Sequence, residues 1–220
     1  MEVKIQYGLH KETGLIKHIS EVDKGEKSGC YCIDCDGILI ARKGKKQTHH
    51  FQHKSMVSCS GGSPETVLHA LGKQIINENK RILLSNKTYF DYSETILEKR
   101  IVDFQPDAIV KNSQNKQWLI EIAVTHYVDD EKKEKIIREN ENCIEIALKP
   151  ELINGEQTII INEVLNNPRN RKIINDVENI IERKHPQRKK NNNNLGLIAL
   201  GLFTLYHRKK IQSFFRRLFS

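Results

Sequence analysis

Asp107 and Glu121 are the residues through which this chain could do chemistry. They lie in two apolar runs, residues 101–110 and 118–124, on either side of a polar Asn-Ser-Gln-Asn-Lys segment. Asn, Ser and Lys in that position mark a turn between antiparallel strands. A hairpin pivoting on Gln114 sets Asp107 directly opposite Glu121, with Cβ atoms about 5 Å apart. Two carboxylates at that separation can share one divalent cation. On strands that are otherwise apolar, they are costly to bury unless something cationic offsets them. Asp103 has the parity of Asp107 and faces the same side. It lies roughly 13 Å further along the strand, too far to share a metal with Glu121.

The elements around this pair are readable from the chain. Asp129 is an N-cap for the helical pattern DEKKEKIIREN, which precedes the apolar strand CIEIALK. Lys132 then falls in the first helical turn, near the end of the Glu121 strand. Thr125 shares the parity of Glu121, so its hydroxyl faces the site. His126 points the other way if the strand runs that far, and otherwise acts from the strand end. Upstream, Ser63-Pro64-Glu65 opens a helix, with Ser63 as N-cap and Pro64 in the first position. Val67, Leu68, Leu71, Ile75 and Ile76 form its buried stripe. Glu65, His69 and Lys73 share another face, and by spacing alone that face is solvated. Residues 81–99 supply one or two further strands.

A second cluster carries metal-binding chemistry. Three of the five cysteines fall in CYCIDC, a pattern that favours a metal in a reducing compartment over disulfides. Cys32-x-x-Cys35 is a knuckle for tetrahedral zinc. The ILIAR strand and the Gly44 turn return the chain to the histidines, as in a zinc ribbon. The ligands read as Cys32, Cys35, His53 and Cys59, with His50 and Cys30 as substitutes. A metal-free hairpin is the alternative, but so short and polar a segment has little core without a metal. Residues 1–22 read as short strands with turns at Gly8 and Gly14.

Pro106-Asp107 followed by Glu121-Ile122-Ala123 resembles the core motif of the PD-(D/E)XK nucleases. Val124, Thr125, His126, Val128, Asp129 and Lys132 resemble the competence protein CoiA-like members in particular. His50-Phe51-Gln52-His53 and Cys59 also match elements of those proteins, and the likeness runs over roughly residues 31–149. The resemblance implies an α+β or α/β chain. Its core would be restriction-endonuclease-like, in the order αβββαβ, with an N-terminal β-rich zinc-ribbon-like module and a helical C-terminal tail. It implies a deoxyribonuclease using Mg²⁺ or Mn²⁺ on Asp107 and Glu121, with structural Zn²⁺ and DNA as partner, in DNA uptake or defence. Glu65 would help hold the metal or its water, with His69 beside it. The sequence departs from the pattern at Ala123, where a lysine is usual. Relatives move that lysine to the following helix, which makes Lys132 the candidate, with Lys133 and Lys135 behind it. If none reaches the metal, the chain is a nucleic-acid-binding module without catalysis.

The net charge of +8 is unevenly placed. Ten of the basic residues lie beyond residue 182 with no acid among them, which leaves residues 1–182 at −2. Within residues 24–54, seven Lys/Arg face three acids, a local excess suited to a phosphate backbone. The expected organisation is a zinc-ribbon-like module over 1–62, a nuclease-like domain with C-terminal helices over 63–182, a basic Asn-rich linker over 183–194 and a tail over 195–220. Residues 151–162 read as a turn and a strand. Residues 162–185 read as one or two helices broken near Pro168, and 170–175 resemble the segment that follows the core in the same family. No apolar signal segment opens the chain, so a cytoplasmic location is expected. The apolar run at 195–206 spans about 18 Å as a helix, short of the roughly 30 Å hydrocarbon core. With the basic amphipathic residues after it, it reads as an anchor on the inner membrane face, a short span, or a helix for a partner; in the last case the chain is an adaptor.

Overall fold

The structure, a computed structural model, describes residues 4–177 other than 56, 57, 60 and 86. These belong to one compact unit, Met1–Ile180, of mixed α+β architecture. The N-terminal part holds β1 (Tyr7–His10), β2 (Ile16–His18), β3 (Cys30–Tyr31), β4 (Leu39–Arg42) and β5 (His50–His53). The rest is α1 (Pro64–Glu78), β6 (Arg81–Ser85), β7 (Thr88–Asp91), β8 (Glu94–Leu97), β9 (Ala108–Lys111), β10 (Gln117–Ala123), α2 (Asp130–Arg138), β11 (Cys143–Ala147), α3 (Gln157–Leu165) and β12 (Arg171–Asn175).

The central sheet has the order β12-β11-β10-β9-β8. Its hairpin follows the predicted register: Gln117 faces Lys111 and Ile120 faces Ala108, so the next pair outward is Glu121 and Asp107. β11 runs parallel to β10, with Glu145 beside Glu121. Side chains alternate across the sheet. Trp118, Ile120 and Ile122 join α1 and α3 in the larger core, whereas Leu119, Ile109 and Cys143 pack with Ile136 of α2. One helical layer therefore covers each face. Tyr7 and Ile16 of the N-terminal sheet enter the α1 core, and Gln74 of α1 accepts from Ile16 N at 2.7 Å.

Several expectations are corrected. The apolar run at 101–110 is not one strand: Ile101 and Phe104 exchange backbone hydrogen bonds across a tight turn, and the strand begins at Ala108. Asp103 sits in that turn and pairs with Arg138 at 2.9 Å. Gly8 lies inside β1, where a Cβ would come within 3.0 Å of Cys30 and Leu39, and the turn falls at Gly14 alone. The TIIIN stretch, read as a strand, forms α3, because Ile160 and Val164 come round to the same face and bury against α1. The segment after Pro168, read as helix, gives strand β12. Arg171 starts that strand, donating to the carbonyls of Glu163, Val164 and Asn167 at the α3 C-terminus and to Leu83 O on β6. These carbonyls have no intrahelical partners, so the guanidinium caps the helix, and burial pulls its pKa down to about 10. The linker 183–194 and tail 195–220 lie outside the described residues. Among the described residues no helix is long and apolar enough to cross a membrane.

Gly72 sets how closely α1 approaches the sheet. A Cβ there would lie 2.5 Å from Ile122 Cδ1, and Ile122 follows Glu121. Gly72→Ala should destabilise the fold by about 1–2 kcal/mol, the overpacking cost exceeding the gain in helix propensity. Ile122→Val, which removes the clashing methyl, should recover much of that loss when combined with it. Urea melts of the two single variants and the double variant check this coupling.

Candidate active site and metal cluster

The cleft forms where β10 ends and both α1 and α2 begin. Its volume is about 210 Å³, and its lining includes Glu65, His69, Asp107, Glu121, His126 and Lys132. Six of the seven residues expected to act together thus meet there, and the seventh, Thr125, binds one of them.

Glu121 is the most buried of these, with 5% of its surface exposed. Lys132 Nζ reaches its Oε2 at 2.8 Å and donates to Gln105 O at 3.1 Å. The lysine arrives because Asp129 caps α2 through Lys132 N at 2.7 Å, which fixes the first turn over the sheet. The other oxygen, Glu121 Oε1, is buried and has no hydrogen-bond partner. Burial pushes the Glu121 carboxyl up to about 7, and Lys132 only partly counters this. Lys135 instead pairs with Glu131 and Asp103, and Lys133 is exposed, so neither reserve lysine serves the cleft.

Asp107 accepts from Ile122 N at 2.8 Å. Burial raises its pKa, but His69 and the Ile122 N–H outweigh this and hold it below the usual carboxylate range. His69 bridges two acids. Its Nδ1 lies 3.6 Å from Asp107 and its Nε2 2.9 Å from Glu65, the second contact without hydrogen-bond alignment. The Asp107 contact leads in raising the His69 pKa, against the opposing pull of burial. Glu65 accepts from both the backbone N–H and the hydroxyl of Thr125. Burial raises the Glu65 carboxyl, and these donors bring it below its ordinary value. β10 stops at Ala123, so His126 follows the strand-end alternative: it is exposed at the cleft rim, 3.9 Å from Glu65. The Thr125 hydroxyl faces the site as its parity with Glu121 implied, although the contact with Glu65 forms beyond the strand.

Sequence reasoning missed Glu145. It is 2% exposed, stands beside Glu121 on β11, and accepts from Val128 N at 2.5 Å, with Lys172 at 3.6 Å. It holds the loop that leads into α2 and its lysine. The signal was present in CIEIALK: a lone acid in a buried strand needs a donor.

Cys32, Cys35, His53 and Cys59 converge, their ligand atoms all within 4.8 Å of one another. Cys32 and Cys59 Sγ are 3.7 Å apart, and Cys35 Sγ and His53 Nε2 are 3.3 Å apart. A tetrahedron with ~2.3 Å metal–sulfur bonds has sulfur–sulfur edges of ~3.8 Å, so the four groups fit such an ion. Burial pushes the Cys32 thiol up to about 11, so a cation is what would favour its thiolate. The Gly61 N–H donates to Cys59 Sγ. His50 and Cys30 are corrected: neither joins the cluster. His50 is three residues from His53 on one strand and so faces the opposite side; its ring contacts Thr48 O. Cys30 is buried against Ser28 O.

Because the folded pKa of Glu121 lies above its unfolded value, the native state binds the extra proton, and stability falls as pH rises from about 4.5 through about 7. Between about pH 5 and 8, without added divalent metal, the parent protein should lose about 2.5 kcal/mol more stability than Glu121→Gln, from 1.36 kcal/mol per unit. Chemical denaturation at the two pH values measures the difference. Equal pH slopes would mean that Glu121 ionises as easily as it does in water.

No curated protein and no solved structure matches the chain. Residues 16–62, which hold Cys32, Cys35, His53 and Cys59 together with strands β2 to β5, match the family model described as competence protein CoiA, N-terminal domain.

Proposed function

We propose that this chain is a metal-dependent nuclease that hydrolyses phosphodiester bonds in DNA, with Asp107 and Glu121 holding Mg²⁺ or Mn²⁺. The observation that carries the reading is the Glu121–Lys132 contact at 2.8 Å beside a buried, unpartnered Glu121 oxygen. The donor set supports a hard cation: carboxylate oxygens, one of them lacking any donor, in a cleft. When bound, such an ion would polarise a phosphate oxygen and lower the pKa of water. Asp107 and Glu121 present their oxygens from adjacent strands. Lys132 places its ammonium between Glu121 and the Gln105 carbonyl, where it orients water and offsets charge building on the phosphate. Glu65, fixed by Thr125, keeps a second carboxylate at the cleft mouth, and His69 spans it to Asp107.

The element order also supports a restriction-endonuclease-like core. Leaving the separate β6–β7 hairpin aside, the chain runs α1, β8, β9, β10, α2, β11. The lysine absent at Ala123 is supplied from α2. The CoiA N-terminal match supports a place in the handling of DNA during competence. A second reading, a binding module without cleavage, is favoured by Ala123 alone.

With Mg²⁺ or Mn²⁺ added, purified protein should cleave DNA. Asp107→Asn, Glu121→Gln and Lys132→Ala should each reduce the rate by 10²-fold or more, in line with the loss of a positioned charge. Binding without cleavage in the parent protein under both metals would leave only the second reading.

The Cys₃His cluster is read as a structural zinc site. Protein purified without chelator should carry one zinc per chain, and Cys35→Ser should lose it. Because metal binding is coupled to folding, the variant should also melt at a lower temperature. Full stability with no bound metal would remove the assignment.

A further inference from the structure

A groove separate from the acidic cleft runs along the β4–β5 hairpin. Its volume is about 580 Å³, and its cationic lining is Lys24, Arg42, Lys43, Lys45, Lys46 and, by type, His50. No carboxylate lines it, and the cleft residues take no part in it. The groove is built rather than incidental. Gly25 and Ala41 exchange backbone hydrogen bonds at 2.9 and 3.1 Å, which ties the Lys24 segment to the hairpin. Arg42 is oriented by Gln52 at 2.8 Å, and Lys43 by the carbonyls of Ser20 and Val22. Lys24, Lys45 and Lys46 are exposed and have no ion pair or hydrogen bond among the described residues. Five full positive charges without an acid repel one another, a cost that a polyanion would remove.

We propose that this groove binds the sugar–phosphate backbone of a nucleic acid, independent of base sequence. Lysine and arginine contact phosphates, which position a duplex without reading it. Apart from His50 the lining has no aromatic ring, so it lacks the stacking platform that unpaired bases require. Among the described uncharged lining residues, Ile40 and Ala41 offer base edges no hydrogen bonds and Gln52 is engaged by Arg42, which leaves Gln47 as the one free amide there. The hairpin ends at His53 and follows Cys35, so an ion held by the Cys/His cluster would clamp the strands that carry the groove. The inference rests on the nuclease reading only for the identity of the polyanion.

The test is fluorescence anisotropy with the full chain and labelled DNA duplexes of two unrelated sequences, without added divalent metal. Lys45→Glu/Lys46→Glu should weaken binding to both by about 10-fold or more. It should also flatten the plot of log affinity against log salt by about 1.8, at about 0.9 per phosphate contact. Lys80→Glu/Lys87→Glu changes the net charge equally at exposed positions that do not line the groove and should have a much smaller effect. Equal losses in the two variants would overturn the proposal. So would a strong preference between the sequences, or vesicles containing phosphatidylglycerol binding as tightly with the same loss on Lys45→Glu/Lys46→Glu. A cleavage assay on the same proteins separates the readings. Normal groove dependence without cleavage sinks the nuclease alone; cleavage with unchanged affinity in Lys45→Glu/Lys46→Glu sinks the groove alone.

Discussion

Three carboxylates stand abreast across the sheet, two of them buried and the third half-buried at the cleft, and the fold must keep them from repelling one another. Asp107 precedes β9, Glu121 is in β10 and Glu145 is in β11, with Glu121 beside both. Each receives a different remedy. Asp107 takes the Ile122 N–H and the His69 ring. Glu145 takes the Val128 N–H and Lys172. Glu121 takes Lys132 on one oxygen and nothing on the other. Leaving a charged oxygen bare costs more than a missing neutral hydrogen bond. In the isolated chain the cost is met by retaining a proton to an unusually high pH. A cation at that oxygen would release the proton.

The surrounding elements are arranged to keep that row intact. Gly72 removes a Cβ so that α1 can lie against Ile122, which brings Glu65 and His69, earlier in the same helix, to the sheet end. Asp129 caps α2 and Glu145 grips the loop before it, so Lys132 is aimed from two sides. Arg171 ties the end of α3 to β6. These polar contacts involve donors or acceptors that burial would otherwise leave unmet. The site is therefore made of the same interactions that terminate the helices.

The parts of this arrangement governed by short-range rules were legible in the sequence. The hairpin register followed from alternation and a turn segment, the two helix starts from Ser63 and Asp129, and the thiol knuckle from its spacing. What was not legible depended on distant contacts. TIIIN has the β-branched composition of a strand, yet it packs as α3 because α1 offers a complementary face. The residues after Pro168 look helical, yet β11 presents an open edge with which they pair as β12. His50 competed with His53 on type alone, and only their odd spacing along β5 separates them. Glu145 went unnoticed because its partner, the Val128 N–H, is a backbone group that no side-chain pattern announces. Thr125 was placed by strand parity, and its hydroxyl does reach Glu65 in the cleft, although β10 ends at Ala123.

The separation of charge within the unit has a physical logic under the nuclease reading. A cleft that concentrates carboxylates repels the phosphate it must approach, and at close range water screens this incompletely. A bound cation neutralises part of the field, but only at one point. A duplex carries one negative charge per ~1.7 Å of axis, so attraction has to come from an extended surface elsewhere. The β4–β5 groove provides such a surface without an acid in its lining. Its lysines need only be numerous and free, whereas Lys132 has to be single and fixed. That difference explains why Lys45 and Lys46 sit on an exposed loop while Lys132 is held by a helix cap. Residues 1–182 are slightly acidic overall, so attraction at the hairpin depends on where its cations are placed and not on the charge of the whole.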